Sequence, residues 1–152
     1  MIVIFAHGKE GSPNGKKATF LREHFDAITP DLHGKPLAEQ VEILNNLIIE
    51  NEDCLIVGSS MGGAACTLAA LKTPPKKMLL LAPALNYAEC KIGIPVGFET
   101  RIVHGTNDDI IPHKVSEEAS EVSGAHLTLV DDCHRLMLSK EVIIEEVEKL
   151  LA

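Results

Sequence analysis

The sequence predicts an α/β fold: one domain spanning residues 1–152, built as a three-layer α/β/α sandwich around a six-stranded parallel sheet. Three observations carry that prediction. Short runs rich in Val, Ile and Leu recur along the chain without polar alternation, the pattern of strands covered on both faces. Helix-length segments separate these runs, and strands joined through helices imply right-handed crossovers within a parallel sheet. The 152 residues are 45% apolar and 24% charged, which suits one globular domain and is too hydrophobic for a disordered chain.

Ile2–Ala6, closed by His7 and Gly8, is the first strand. Ser12 as N-cap and Pro13 as first helical residue open a helix over 13–25, with Ala18, Leu21 and Phe25 on its inner face. Residues 27–29 form a short second strand. Leu37, Val41, Leu44 and Ile48 mark an amphipathic helix after Pro36, and residues 54–57 supply a third strand. The small-residue segment Met61–Lys72 is a helix that stops at Pro74 and Pro75, since proline cannot continue one. Lys77–Leu81 is the fourth strand and residues 101–104 the fifth. A helix over 112–122 turns Val115, Ala119 and Val122 inward, His126–Val130 is the sixth strand, and Ser139 caps a last helix to Leu151.

Charge and composition exclude several functions. With 22 Asp and Glu against 14 Lys and Arg the net charge is −8, and with one Tyr, four Phe and no Trp the chain lacks the basic footprint and stacking rings of nucleic-acid binders. No nucleic-acid partner is expected. The longest apolar run, residues 78–85, contains a proline and is far short of the roughly 18 residues of a membrane span. No membrane partner is expected either. The first strand begins directly after Met1 with no basic leader, so a cytoplasmic protein is expected. Cys54, Cys66, Cys90 and Cys133 include no C-x-x-C pair and read as free thiols. There is no H-E-x-x-H and no Cys/His cluster, so neither a metal nor an organic cofactor is implied. Oligomeric state leaves no mark in the sequence.

Chemistry is signalled at the end of the third strand. Gly58-Ser59-Ser60-Met61-Gly62 is a G-x-S-x-G motif lying between a predicted strand and a predicted helix. Such a turn forces the central serine into strained geometry, so the positions two before and two after must be small; Gly58 and Gly62 meet that need. Ser60 would project above the sheet at the start of a helix, where free amides and the helix dipole favour charge developing on an attacked carbonyl oxygen. A phosphate cradle is disfavoured because neither a P-loop Lys nor a G-x-G-x-x-G is present. A serine hydroxyl needs a base, itself oriented by an acid. Two downstream loops offer them at strand C-terminal ends: His104 to Pro112, with Asp108 and Asp109, and Asp131 to Arg135, with Asp132 and His134.

On these residues the chain resembles a serine esterase of the α/β-hydrolase superfamily in minimal, capless form. The segments HGKEGSPNGKK and VGSSMGGAA are similar to those of small bacterial YqiA-like esterases. The family's chain order of nucleophile, acid and base implies Ser60, Asp108 and His134. The H-G-x-x-D-x-x-I-P loop puts the acid on Asp108, with Asp109 as the fallback and Asp132 as a further alternative two residues before His134. His-Gly after the first strand implies an oxyanion hole made by the backbone N–H groups of Lys9 and Met61. The resemblance also implies a core that opens at the family's third strand, with strand order 2-1-3-4-5-6. The implied activity is hydrolysis of small carboxylic esters or thioesters; the alternatives are acyl transfer by the same residues and a non-catalytic hydrolase-like binding domain.

The remaining candidates are weighed against this set. His7 and His104 read as structural histidines holding their loops, and His113 as a weaker rival base. His24, His33 and His126 read as solvated. Cys66 and Cys133 read as small buried hydrophobes. The segment from Asn86 to Thr100 replaces a cap, and Tyr87, Ile92, Ile94 and Phe98 form either one wall of an acyl pocket or a loop covering the sheet edge. Lys9, Lys16 and Lys17 are placed to attract an anionic ester at the mouth of the site.

Overall fold

A computed structural model describes residues 1–87 and 91–152. Strands β1 (Ile2–Ala6), β2 (Cys54–Ser59), β3 (Lys77–Leu81), β4 (Glu99–Gly105) and β5 (His126–Val130) are joined by helices α1 (Lys16–Phe25), α2 (Leu37–Glu50), α3 (Met61–Lys72) and α4 (His113–Ser123), and α5 (Lys140–Leu151) follows. All neighbouring strands are parallel, in the order β1-β2-β3-β4-β5. Their register pairs Ala6 with Gly58, Ser59 with Leu81 and Gly105 with Val130. The C-terminal ends therefore lie level, and the loops leaving them share one rim.

The sheet has five strands, not six. Residues 27–29 contribute only an isolated bridge from Ile28 to Ile4, in which Ile28 N–H donates to Val3 O and Phe5 N–H donates to Ile28 O, each at 2.8 Å. Asp26 sits in the left-handed region (φ 53°) directly before this stretch, and Pro30, which has no N–H, directly follows it. One residue is left to pair. It still lies beside β1, at the edge where the sixth strand was expected.

Alternation along each strand divides the core in two. Val3, Phe5, Leu55, Val57, Leu79, Leu81 and Val103 face α1 and α5, where Leu21, Ile143, Val147 and Leu150 are buried. Ile4, Ala6, Ile56, Met78, Leu80 and Ile102 face α2 and α3, meeting Leu44, Ile48, Ala65 and Ala69, with Val115 and Ala119 of α4 against the same layer. Val122 is 89% exposed, contrary to expectation, and buried Ser116 takes an inward position instead.

Two caps also differ. The first helix begins at Lys16 with Gly15 as N-cap, because Ser12 closes a turn in which its carbonyl accepts from Gly15 N–H. Ser139 holds the N-cap position of α5, but its hydroxyl donates to Asp132 Oδ2 at 2.7 Å and leaves the helix amides alone. Among the described residues Cys54 and Cys66 are buried free thiols, whereas Cys133 is exposed; Cys90 lies outside the described residues. No helix among them is long and apolar enough to cross a membrane.

Under the far side of the sheet, Arg101 of β4 pairs with Glu146 of α5, which Lys149 also contacts at 3.0 Å. The Glu146 side chain is only 3% exposed. Removing the guanidinium would leave the buried carboxylate with the half-exposed Lys149 as its remaining cation, so Arg101→Met is expected to lower unfolding free energy in urea by about 3 kcal/mol. The double variant Arg101→Met/Glu146→Leu should recover most of that loss.

Candidate active site

The site grows out of the β2–α3 turn. Ser60 adopts φ 55° and ψ −116°, a conformation costing a non-glycine residue about 1–3 kcal/mol that persists only where packing imposes it. The packing is visible at the flanking glycines. A Cβ on Gly58 would lie 2.5 Å from Gly62 O, and one on Gly62 would overlap the carbonyl oxygen of Ala6. Two further backbone bonds hold the turn: Ser60 N–H donates to Leu81 O and Ala84 N–H donates to Ser60 O, each at 2.9 Å.

From this turn Ser60 Oγ lies 2.9 Å from His134 Nε2, and His134 Nδ1 lies 2.7 Å from Asp108 Oδ2. With Nδ1 protonated toward the carboxylate, Nε2 is left free to accept from the serine hydroxyl. The structure thus brings together Ser60, Asp108 and His134, which are 26 to 74 positions apart in the chain. Burial alone would raise the Asp108 pKa. The N–H groups of Ile111 and Ile110 on Oδ1, together with His134, outweigh it and hold the carboxyl below its ordinary value.

The two alternatives for the acid go elsewhere. Asp132 is buried but turned into its own loop, accepting from Cys133 N–H at 2.7 Å, Leu138 N–H at 2.8 Å and Ser139 Oγ. Asp109 is exposed, and no side-chain bond involves it among the described residues. Leu136, with φ 53°, is 2% exposed and packs into the α1–α5 core layer, so the His134 loop is pinned at both ends. Lys17 Nζ donates to Arg135 O at 2.6 Å, and burial followed by the Arg135 charge lowers its pKa to about 8. Lys17 therefore braces this loop rather than reaching the site mouth.

His104 and Ser116 form a contact that the spacing of residues did not disclose. The His104 ring is fully buried, with Nδ1 2.6 Å from Ser116 Oγ and Nε2 2.8 Å from Ile111 O and 3.1 Å from Asp108 Oδ2. Burial lowers its pKa, so it is a neutral ring whose Nε2–H faces both oxygens. His7 is likewise tied in, Nδ1 to Gly8 O at 2.8 Å and Nε2 accepting from Leu32 N–H at 2.9 Å. His113 pairs with Glu117 on α4 at 2.6 Å. Gly105 passes so close to the Asp132 carbonyl that a side chain there would overlap it, and Asn107 N–H donates to Asp132 O at 3.0 Å. The acid loop and the base loop are laced together. A His-Gly pair at a strand end was the only sequence signal for this.

Gly8 lies against the serine: a Cβ there would be 3.3 Å from Ser60 Cβ and 4.0 Å from Ser60 Oγ. Neither the Lys9 nor the Met61 N–H donates to any acceptor among the described residues. Both residues line one cavity of about 300 Å³ together with Leu37, Lys35, Gln40 and Tyr87. Ile92, Ile94 and Phe98 instead pack into the α2–α3 core layer. Of the four residues offered for a pocket wall, Tyr87 alone faces this cavity. A second cavity, about 170 Å³, lies at the opposite ends of β4 and β5; Ile94 and Phe98 line it, but none of the predicted catalytic residues does. Among the described residues no group of three or more His, Cys, Asp or Glu is arranged to hold a metal ion.

No protein-family model and no curated protein sequence matches the chain. Solved structures do. A Xanthomonas campestris protein named for the alpha/beta hydrolase superfamily superposes with a TM-score of 0.87 at 24% identity, over 98% of this chain and 95% of that one. Est1E from Butyrivibrio proteoclasticus, in a structure with ferulic acid bound, gives 0.81 at 18% identity over 99% and 87%. Mouse alpha/beta hydrolase domain-containing protein 10 gives 0.78 at 18% identity over 98% and 88%. The chain has the fold of the α/β-hydrolase superfamily.

The close approach at the turn makes Gly62→Ala destabilising by about 1–3 kcal/mol in chemical denaturation, because backbone must move to admit the methyl group. Acid stability should also report the buried carboxylates. The hydroxyl of Ser139 and two backbone amides hold Asp132 below its ordinary pKa, and Arg101 and Lys149 do so for Glu146, in each case against burial. With Asp108 these groups bind fewer protons folded than unfolded, so their stabilisation is complete above about pH 5 and is lost as pH falls through the native values. Thermal midpoints are expected to hold down to about pH 5 and drop steeply below about pH 4, with a shallower drop in Asp132→Asn.

Proposed function

We propose that this protein is a serine hydrolase that cleaves small carboxylic esters or thioesters through an acyl-enzyme. The observation that carries the reading is the continuous hydrogen-bonded line from Ser60 Oγ through His134 to Asp108, at 2.9 and 2.7 Å, beginning on a strained turn at a helix start. Likeness in fold to proteins named as hydrolases agrees with it.

In this mechanism Ser60 Oγ attacks the substrate carbonyl while His134 Nε2 takes the hydroxyl proton. The oxyanion is received by the N–H groups of Lys9 and Met61, each worth roughly 10²–10³ in rate. The bond to the leaving alcohol or thiol then breaks, and His134 returns the proton to that group. Water repeats the sequence against the acyl-serine, releasing the acid and restoring the hydroxyl. Asp108 keeps the imidazole in the required tautomer and stabilises its cationic form. Its depressed pKa suits that role, because it must remain ionised throughout. His104 supports it with a neutral N–H and adds no competing charge.

A fluorophosphonate probe and a nitrophenyl ester together test the reading. Wild-type protein should take up one equivalent of probe and Ser60→Ala none, with ester turnover falling by about 10⁴ or more in Ser60→Ala and by about 10⁴ in Asp108→Asn. A folded wild-type sample that neither labels nor turns over ester would refute the proposal.

A further inference from the structure

We infer that the cavity beside Ser60 receives an anionic oxygen group of the substrate through Lys9 and Lys35, so that the preferred esters carry a carboxylate. This rests on the hydrolase reading above and names its substrate class.

Local charge here runs against global charge. The chain carries 22 acidic and 14 basic residues, yet among the described residues the only charged ones lining this cavity are two lysines. Lys9 forms no ion pair among the described residues, and it directly follows the glycine that touches Ser60. Among the described residues Lys35 has one ion-pair partner, Glu39, four positions on at 3.9 Å, too far for a hydrogen bond and more than half exposed to water. Two lysines thus line a concave space with little among the described residues to neutralise them. An acidic protein concentrates positive potential in this way only locally, and a cleft with apolar walls strengthens it.

The floor is ordered to hold that charge in place. Gln40 is 6% exposed and donates from Nε2 to Lys35 O at 3.0 Å, fixing the backbone that carries the lysine. Its Oε1 accepts no hydrogen bond among the described residues and, being an acceptor, offers nothing to a carboxylate, so the lysines alone supply the attraction. Leu37, Met61 and Tyr87 supply the apolar surface between the lysines and the serine turn. A space of about 300 Å³ is at the small end for ligand pockets, which suits a short acid rather than a long acyl chain.

The test compares matched esters at low and high salt. One pair is 4-nitrophenyl hydrogen succinate against 4-nitrophenyl butyrate, with the carboxylate on the acyl side. The other is 4-carboxyphenyl butyrate against phenyl butyrate, with it on the leaving side. In at least one pair the anionic ester should have a kcat/KM about tenfold higher at low ionic strength, and the advantage should shrink in salt as the lysines are screened. The ratio within that pair should fall by about tenfold in Lys35→Glu and persist in Lys35→Arg; the pair that responds shows which side of the ester enters the cavity. Equal or inverted ratios in both pairs, or a ratio indifferent to Lys35→Glu, overturn the inference while leaving the hydrolase reading intact. Should no ester react and Ser60 not label, that reading fails, and calorimetry with monomethyl succinate decides the cavity alone. Binding to wild type that is lost in Lys35→Glu upholds it, and no binding to wild type overturns it.

Discussion

Ser60 stands above the sheet because β2 and α3 approach so closely that no side chain fits at Gly58 or Gly62. The contact is backbone against backbone: Gly62 presses on the carbonyl of Ala6, and Gly58 on that of Gly62. That approach does two things together. It forces the positive φ that turns the hydroxyl outward, and it brings the first amides of α3 next to the segment after β1. The strain at one residue is thus supported by packing of the most buried strands in the molecule, all six residues of β2 being buried.

The other two side chains arrive by a different device. Parallel register levels the strand ends, so the loops after β4 and β5 begin side by side, and Gly105 lets them cross in contact. Each loop then carries its own buried polar anchor. Asp108 is held by two amides of its loop and by His104, itself fixed by Ser116 of α4; Asp132 gathers the His134 loop around its carboxylate while Leu136 is driven into the core. Satisfied polar networks of this kind specify one arrangement, since moving any member would leave a buried group without its partner.

Asp108 and His134 sit among mutually satisfied polar groups, whereas among the described residues Lys9 and Lys35 at the cavity are unpaired or only partly paired. In the proposed reaction a substrate bridging the two would present its carbonyl to Ser60 and its carboxylate to the lysines.

Local pattern alone was enough for the layer order, the parallel strands and the strand-to-helix serine, because burial on both faces, helical spacing and G-x-S-x-G are written in neighbouring residues. Likewise the resemblance of short motifs pointed to Asp108 and His134, whose side chains the structure brings into line with Ser60. What local pattern could not reach were features decided by partners far along the chain. Residues 27–29 carry strand-like side chains, yet Asp26 and Pro30 leave them a single bridge. Ser139 sits where a cap belongs, but a buried Asp132 claims its hydroxyl. Lys17 looked available to a ligand until the carbonyl of Arg135, 118 positions away, took it, and Lys35 came to the cavity in its place. A sequence records which groups need partners; only the closed tertiary structure decides which distant group reaches them first.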